Sequence, residues 1–279
     1  MSPPLGRAVL GVAAPSVIAT SAATGLAEAG GTAVDAAIAA TLVAMVTEPG
    51  VVSLGGGAFV TVGTPDGNAV TVDGNVEMPG RSAPREQFGT GVREITTTYG
   101  GGLTTTVGHG SVATPGALAA LELAHQRYGR APWADVVEPA IEAARTGSPL
   151  GAAAASYLAL VHELIFGVDP ASHAAVHHPD GTPLVAGDLV CVANLAESLE
   201  LIASEGTEVF YRGDLARAVA DDMAANGGLI GADDLARTRR SFAPRCRWTF
   251  TAGISRPTRH QRSAVRCSAP CCCCSGTNR

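Results

Sequence analysis

Charged side chains are concentrated in one region that is otherwise rich in Gly and Thr. The carboxylates Asp73 and Glu77 are close in sequence to Arg81, Arg85 and Arg93. An arginine held in such a loop presents a planar fork of N–H donors, and it can bind a substrate carboxylate in a bidentate manner. A network of surface ion pairs has the same composition, and the spacing alone favours that simpler interpretation.

Three histidines, His173, His177 and His178, have a spacing close to that of metal ligands. They precede a Pro-Asp-Gly turn at 179–181, and no fourth ligand is evident nearby, whereas structural zinc sites are four-coordinate. The sequence therefore predicts exposed loop histidines at these positions and no bound metal.

Two glycine-containing segments resemble functional motifs, and neither motif is complete. The segment Gly-His-Gly-Ser that ends at Ser111 is similar to part of a serine-nucleophile loop, but the Gly-x-Ser-x-Gly pattern and an acidic partner are lacking. Glycines 55–57 precede a β-branched run. A P-loop needs a lysine, which this sequence does not contain. A dinucleotide-binding loop leads into a helix, whereas a strand is predicted to follow these glycines. We predict no catalytic role for Ser111 and close backbone packing at 55–57.

The elements that position these residues indicate an α+β chain. The sequence has 279 residues, 46% hydrophobic and 16% charged, which is enough for a buried core and excludes a disordered chain. Short β-branched runs on either side of 65–68 predict a hairpin. Thr20 or Ser21 is expected to cap a first helix and Thr32 a second, and helical periodicity dominates after Pro115. Strands followed by helices are typical of an α+β fold.

Composition argues against several partners and locations. The formal net charge is −6, so general nucleic-acid binding is not expected. The charge-free stretch 8–27 superficially resembles a signal peptide, but Pro15 and several Ser and Thr interrupt any apolar core. The apolar run 36–47 is too short to span a bilayer. Without a convincing signal peptide or spanning segment, the sequence predicts a cytoplasmic protein without membrane association, and a periplasmic or secreted location is less favoured. Cys191 is the only cysteine before residue 241, which suits a reducing compartment.

Five blocks of sequence follow one another between about residues 8 and 240. The first runs from GLAEAGGTAVDAAIAATLVAMVTEPG into LGGGAFV, with Thr32 at a position where an asparagine is usual. The second, EMPGRSAPREQF, is at 77–88, and the remaining three are at 113–147, 194–223 and 226–236. Blocks of this kind in this order resemble the γ-glutamyltranspeptidase family.

The resemblance implies a four-layer αββα sandwich of the N-terminal-nucleophile hydrolase type, of which this chain would supply the helix-rich large-subunit half. Such proteins cut themselves into two subunits, and a threonine freed at the start of the small subunit attacks a γ-glutamyl amide. The γ-glutamyl group then passes to water or to an amino acid. The resemblance assigns the binding of the substrate's α-carboxylate to Arg85, in place of the surface ion network, and it implies no metal or organic cofactor.

The sequence departs from the family after Ala236. No threonine stands in a small-subunit start motif, since threonines 104–106 are followed by Val107. Residues 241–279 contain no acid, seven arginines and six of the seven cysteines. Four of those cysteines are consecutive, which fits no metal-ligand spacing. We expect 1–240 to form the large-subunit-like region and 241–279 to be a disordered tail read out of frame, because a CTG leucine codon read one base late gives TGC, cysteine. A genuine cysteine-rich metal-binding tail is the alternative.

These features lead to three hypotheses for function. In the first, the chain is the large-subunit portion of a γ-glutamyltranspeptidase. It would bind a γ-glutamyl substrate but would not turn it over without a small subunit, because it lacks the nucleophile and the oxyanion donors. In the second, it belongs to a glutaryl or cephalosporin acylase of the same fold, with Arg85 binding the distal carboxylate of the substrate. In the third, it is a non-catalytic pseudoenzyme or binding protein.

Overall fold

Helices are the predominant regular elements of the described structure. The computed structural model describes residues 10–64, 67–238 and 241–242. The α-helices of this part are α1 (Val17–Glu28), α2 (Ala33–Thr47), α3 (Ala117–Tyr128), α4 (Trp133–Thr146), α5 (Ala152–Val161), α6 (Pro170–Val176), α7 (Leu195–Glu205), α8 (Glu208–Tyr211), α9 (Asp214–Ala225) and α10 (Ala232–Ala236). The strands are β1 (Ala58–Gly63), β2 (Ala69–Gly74), β3 (Arg93–Thr97), β4 (Leu103–Val107), β5 (Ser148–Pro149), β6 (Leu189–Val190) and β7 (Ser241–Phe242).

Helix α2 lies in the main core. Alanine and aliphatic residues dominate it, which allows α1, α3 and α4 to pack against it, and Ile38 and Leu42 are fully buried. The hydroxyl of Thr32 accepts a hydrogen bond from Asp35 N (3.2 Å), and the Asp35 carboxylate accepts one from Thr32 N (2.7 Å). This reciprocal pair satisfies N–H groups that a helix start leaves without intrahelical partners. The predicted cap at Thr32 is confirmed.

The hairpin of β1 and β2 forms a sheet with one face covered by a helix. The two strands pair antiparallel from Ala58↔Gly74 to Gly63↔Ala69, which confirms the predicted hairpin, and β7 pairs with β2 on its other edge. Helix α3 approaches so closely that a Cβ added at Gly74 would lie 2.3 Å from the Cβ of Ala120. On the opposite face the side chain of Phe59 is 60% exposed. The described residues therefore cover the sheet with helices on one side only.

A second, smaller apolar cluster joins α5 and α6. Leu150, Leu158 and Val176 are buried in it. Strands β5 and β6 form a short ladder beside this cluster, and β3 and β4 form a separate antiparallel hairpin. Between α5 and α6 the chain makes a π-helical turn over His162–Phe166.

The first helix begins earlier than the sequence predicts. Ser16, and neither Thr20 nor Ser21, is its cap, and the Ser16 hydroxyl accepts a hydrogen bond from Ala19 N (3.2 Å). Thr20 lies inside the first turn, where its own hydroxyl donates to Ser16 O (3.0 Å). Because several Ser and Thr residues follow one another here, side-chain type alone does not single out the one that caps the helix.

The predicted tail falls almost entirely outside the described residues. Residues 241–242 form β7 on the hairpin sheet, so the structured region continues at least that far. The prediction for 243–279 stays a prediction.

Candidate functional site

Arg85 lies in the loop between Glu77 and Thr90, at the start of a 3-10 turn over Arg85–Gln87. Its side chain is exposed, and within the described residues neither a hydrogen bond nor an ion pair engages its guanidinium. A guanidinium whose donors are uncommitted can bind a planar anion such as a carboxylate. Residue 85 therefore has the chemistry that the family resemblance assigns to it.

The loop that carries Arg85 is fixed to the chain around Asp234. The backbone N–H groups of Gly80 and Arg81 donate to the two carboxylate oxygens of Asp234, at 3.1 and 3.0 Å. Asp234 is only 3% exposed, and it also accepts from Gly231 N (3.0 Å). Hydrogen bonds to an ionised acceptor are stronger than neutral ones, so this carboxylate holds the loop at a defined position.

A second anchor lies on the other side of Arg85. The Gln87 side-chain amide donates to Gly228 O (2.8 Å), and the Thr90 hydroxyl lies within hydrogen-bonding distance of Gly227 O (3.2 Å). Gly91 has φ +62°, and a Cβ added there would lie 2.5 Å from Gly227 O, so the two backbones are in direct contact. The sequence blocks at 77–88 and 226–236 thus form a single unit with Arg85 between its anchors.

The other charged residues near Arg85 in the sequence have separate partners. Arg81 donates to Glu77 (2.5 Å) and lies 3.8 Å from Asp234. The Asp73 carboxylate accepts from the backbone N–H of residue 75, and the guanidinium of Arg93 donates to the carbonyl of Leu164. Among the described residues, the contacts of these five charged side chains therefore do not join them into one network, and none of these contacts involves the Arg85 guanidinium.

Ser111 lies beside a histidine and an acid without forming a catalytic triad. His109 Nε2 is 3.2 Å from an Asp222 carboxylate oxygen, and both residues line a cavity of about 770 Å³ together with Ser111. The Ser111 hydroxyl donates to Gly108 O (2.7 Å) and not to His109. A nucleophilic serine needs its base within hydrogen-bonding distance, and here the Ser111 hydroxyl is engaged by a backbone carbonyl instead. The absence of a catalytic role stays a prediction.

The prediction of exposed loop histidines is wrong for two of the three. The side chain of His177 is fully buried, and His173 lies on α6 and stacks on it, with ring centroids 3.6 Å apart. His178 is the most exposed of the three histidines, and its Nε2 is 2.9 Å from a carboxylate oxygen of Asp188. The error arises because the spacing did not reveal α6. This helix carries His173 and ends just before His177, and it places the two rings against each other.

The glycine run packs closely against the backbone, as predicted. A Cβ at Gly57 would lie 2.9 Å from Val76 N. Gly56 O accepts from Gly116 N and Ala117 N, at 3.2 and 3.1 Å, and so meets the first turn of α3. The absence of a side chain at Gly57 therefore allows the backbone there to approach that of Val76.

Comparison with known families covers most of the chain. The family described as Gamma-glutamyltranspeptidase has a sequence model that matches residues 19–251, including both segments of the anchored Arg85 loop. The chain belongs to the γ-glutamyltranspeptidase family. The match continues past residue 240, the predicted end of the large-subunit-like region.

Curated relatives of this γ-glutamyltranspeptidase-family chain include a hydrolase and an acylase. The glutathione hydrolase proenzyme of Escherichia coli is 35% identical over 229 residues, which are 81% of this chain and 38% of the relative. The acylase ACY 1 proenzyme of Pseudomonas sp. (strain V22) is 35% identical over 235 residues, which are 80% of this chain and 39% of the relative. The chain thus spans a little over a third of the length of these two proteins.

Solved structures of the γ-glutamyltranspeptidase family share the fold. The γ-glutamyltranspeptidase of Helicobacter pylori aligns with a TM-score of 0.73 at 26% identity, over 86% of this chain and 67% of that structure. The fold is accordingly the helix-rich α+β fold of the N-terminal-nucleophile hydrolases, as the resemblance predicts. Among the helices in the described part of the chain, none has both the length and the apolar character needed to cross a bilayer.

The sequence predicts a role for Arg85 that stays a prediction, and it did not reveal the residues that hold the Arg85 loop. Asp234 and Gln87 lie in recognised blocks, yet their roles depend on contacts 154 and 141 positions apart in the chain. The acid that follows the Gly-Gly-Leu-Ile-Gly run at 227–231 was the available signal, because such an acid near a helix start commonly binds backbone N–H groups.

Proposed function

We propose that this chain takes part in the transfer or hydrolysis of γ-glutamyl groups of glutathione and related amides, and that Arg85 binds the α-carboxylate of the substrate. The observation that carries the proposal is the exposed guanidinium of Arg85, which no described residue engages, on a loop fixed at both ends. Family membership and the match of residues 77–88 to the family pattern support it. An arginine positioned in this way lowers the entropic cost of binding, because the loop is already ordered before the ligand arrives.

The chemical step is assigned to a small-subunit partner. The family mechanism uses a threonine whose free α-amine serves as its base, and such a residue must stand at a chain start. Threonines 104–106 lie inside β4, paired with β3, and the Thr104 hydroxyl is 2.9 Å from that of Thr96. We therefore propose that this chain binds γ-glutamyl compounds without turning them over.

Binding of glutathione to the full chain, measured by isothermal titration calorimetry, tests the role of Arg85. Arg85→Gln should weaken binding about 10- to 100-fold, since a hydrogen-bonded charge pair contributes about 1.5–3 kcal/mol. Arg85→Lys should give an intermediate affinity, because lysine keeps the charge and loses the bidentate geometry. Arg217→Gln is the control, because Arg217 is an exposed arginine paired with Asp214 on α9. Equal affinities of the parent chain and Arg85→Gln would refute the assignment.

Turnover of a γ-glutamyl anilide tests the second part of the proposal independently. Release of the aniline should not exceed a buffer control. Release that does exceed the control, together with a new amino-terminal threonine found by mass spectrometry, would overturn the assignment of the nucleophile to a partner and leave the Arg85 result intact.

An acylase function is the second candidate, and the 35% identity to the acylase ACY 1 proenzyme favours it. In that case Arg85 binds the distal carboxylate of a glutaryl amide, which lacks the α-amine of a γ-glutamyl group. Competition between glutathione and a glutaryl amide in the same titration separates the two. Tighter binding of the glutaryl compound supports the acylase, and tighter binding of glutathione supports the γ-glutamyl assignment.

A further inference from the structure

We propose that His162, Glu163 and His177 form a binding site for a divalent transition-metal ion, with Zn²⁺ as the ion that the ligands fit. The donor atoms of these three residues all lie within 4.8 Å of one another. The site differs from the Arg85 loop in location and chemistry, and it rests on none of the proposed γ-glutamyl chemistry. It also differs from the sequence prediction of no metal, in which neither His162 nor Glu163 was considered.

The distances are close to those of a three-ligand site. His162 Nδ1 is 2.8 Å from His177 Nε2, and Glu163 Oε1 is 3.8 and 3.7 Å from these two nitrogens. Zn²⁺ bonds of about 2.0–2.1 Å at a tetrahedral angle separate neighbouring ligand atoms by about 3.3 Å. The two nitrogens need to move apart by about half an ångström and the carboxylate to approach by a similar amount. The Glu163 side chain is 65% exposed, so it can make this movement easily.

The hydrogen bonding of His177 leaves the correct nitrogen available. Its Nδ1 is 2.8 Å from His173 O, and a carbonyl oxygen can only accept, so Nδ1 carries the proton. His177 Nε2 therefore has a free lone pair, and it points towards His162 and Glu163. A ligand histidine whose other N–H donates to a backbone carbonyl is the arrangement that commonly orients imidazoles at metal centres. In the absence of a metal, the Nδ1–H of His162 donates to the same lone pair. When the ion binds, the His162 proton moves from Nδ1 to Nε2 of the same ring, which leaves the Nδ1 lone pair for the metal.

His173 supports the site without serving as a ligand. Its ring is parallel to that of His177, with an interplanar angle of 4° and a centroid distance of 3.6 Å. The lone pairs of an imidazole lie in the plane of its ring, so a metal in the plane of His177 lies outside the plane of His173. His173 instead covers one face of His177 and supplies the carbonyl that fixes its tautomer.

The local backbone brings the ligands together. His162 and Glu163 are adjacent in sequence, and neighbouring residues of a regular α-helix do not face the same side. Here they lie in the π-helical turn, a rare distortion that is frequent at functional sites. His177 directly follows α6, so the metal would connect α6 to the end of α5. Two imidazoles and one carboxylate suit Zn²⁺, and the exposure of Glu163 leaves the remaining coordination to water.

Titration of the full chain with Co²⁺, followed by displacement with Zn²⁺, tests the site. The seven cysteines are first alkylated with iodoacetamide, because thiolates bind both ions. We expect one Co²⁺ per chain, visible d–d absorption typical of four-coordination, no sulfur-to-metal charge-transfer band, and loss of the spectrum when Zn²⁺ is added.

Four variants locate the ion. His162→Gln and Glu163→Gln should each weaken Co²⁺ affinity at least about tenfold, since even residues that only orient metal ligands contribute 10- to 100-fold. His173→Phe keeps an aromatic ring over His177 and should bind Co²⁺ like the parent chain. His178→Gln, which changes an adjacent histidine bound to Asp188, should also bind normally.

The site is refuted if the alkylated chain gives no d–d spectrum, or if Glu163→Gln and His162→Gln bind Co²⁺ as tightly as the parent. Glu163→Gln separates loss of a metal ligand from loss of the fold, because a substitution at a side chain that is 65% exposed leaves the fold intact. Far-UV circular dichroism of each variant verifies this.

Discussion

Helix α2 has a buried carboxylate near each end, and the two carboxylates are in opposite electrostatic environments. Burial favours a higher pKa for Asp35, but hydrogen bonds from Thr32, Arg130 and Ala131 outweigh burial and hold the pKa of this carboxyl below its ordinary value. Glu48 is 4% exposed, no hydrogen bond reaches its carboxylate from the described residues, and burial raises its pKa. The comparison shows that burial alone does not decide whether a carboxylate is stabilised. The number of N–H donors directed at the carboxylate decides whether its charged form is stabilised.

The two ends of α2 should therefore respond to pH in opposite directions. A lowered pKa means that Asp35 stabilises the fold above the ordinary carboxyl pKa, and that this stabilisation is lost as the pH falls through its folded-state pKa. A raised pKa means that Glu48 favours the folded state at low pH, and that this contribution is lost as the pH rises through its folded-state pKa.

Removal of the Asp35 carboxylate should have the largest effect. Asp35→Ala leaves the partly buried backbone donors of Thr32, Arg130 and Ala131 without their carboxylate partner, and it should lower the free energy of unfolding by about 3 kcal/mol at neutral pH. Urea denaturation followed by circular dichroism measures the change. Asp135→Ala is the matched control, because Asp135 is an exposed acid in the first turn of α4. Equal losses in the two variants would contradict the account of Asp35.

The advantage of the parent chain over Asp35→Ala should shrink in acid. Once Asp35 is protonated in the folded state, it no longer accepts charge-assisted hydrogen bonds, so most of the difference should disappear below the ordinary aspartate pKa of about 3.9. The measurement is the same denaturation at several pH values. A difference that does not depend on pH would show that packing, and not charge, accounts for the loss.

Neutralisation of Glu48 should stabilise the protein. Glu48→Gln removes a buried charge without changing the side-chain shape, and it should raise the free energy of unfolding by about 1 kcal/mol at neutral pH. The gain should vanish at about pH 3.5, where glutamate is protonated in both states. Thermal unfolding at the two pH values tests this, and a variant less stable than the parent at neutral pH would be the opposite of the expected result.

The cap of α2 should give the smallest effects. Thr32→Ala should cost about 1 kcal/mol, whereas Thr32→Asn should lie within about 0.5 kcal/mol of the parent, because asparagine is an equally good N-cap. The asparagine variant also carries the residue usual at this position in the family. Urea denaturation of both variants compares them, and equal losses would show that the Thr32 hydroxyl matters through its contact with Tyr128 O (3.1 Å) rather than as a cap.

Sequence reasoning predicted the features that depend on neighbouring residues. The cap at Thr32, the β1–β2 hairpin and the close packing at Gly57 all follow from local chemistry, and the family resemblance supplied the fold and Arg85. The long-range roles of Asp35 and Asp234 were missed, because the donors at Arg130 and Gly80 lie 95 and 154 positions away in the chain. The burial of His177 was missed for a similar reason, since it requires the fold to bring α5 and α6 together.

The hydrogen bond between Gly80 and Asp234 has a consequence for synthesis of the chain. A ribosome releases Arg85 long before it has made residues 226–236, so the nascent chain has the arginine but not yet the segment that holds it. Domains form as their parts emerge, amino-terminal parts first. The α1–α2 pair can form early, whereas the loop around Arg85 must wait for the second block. A growing chain therefore acquires the anchored geometry of the Arg85 loop only near the end of the family-matched region.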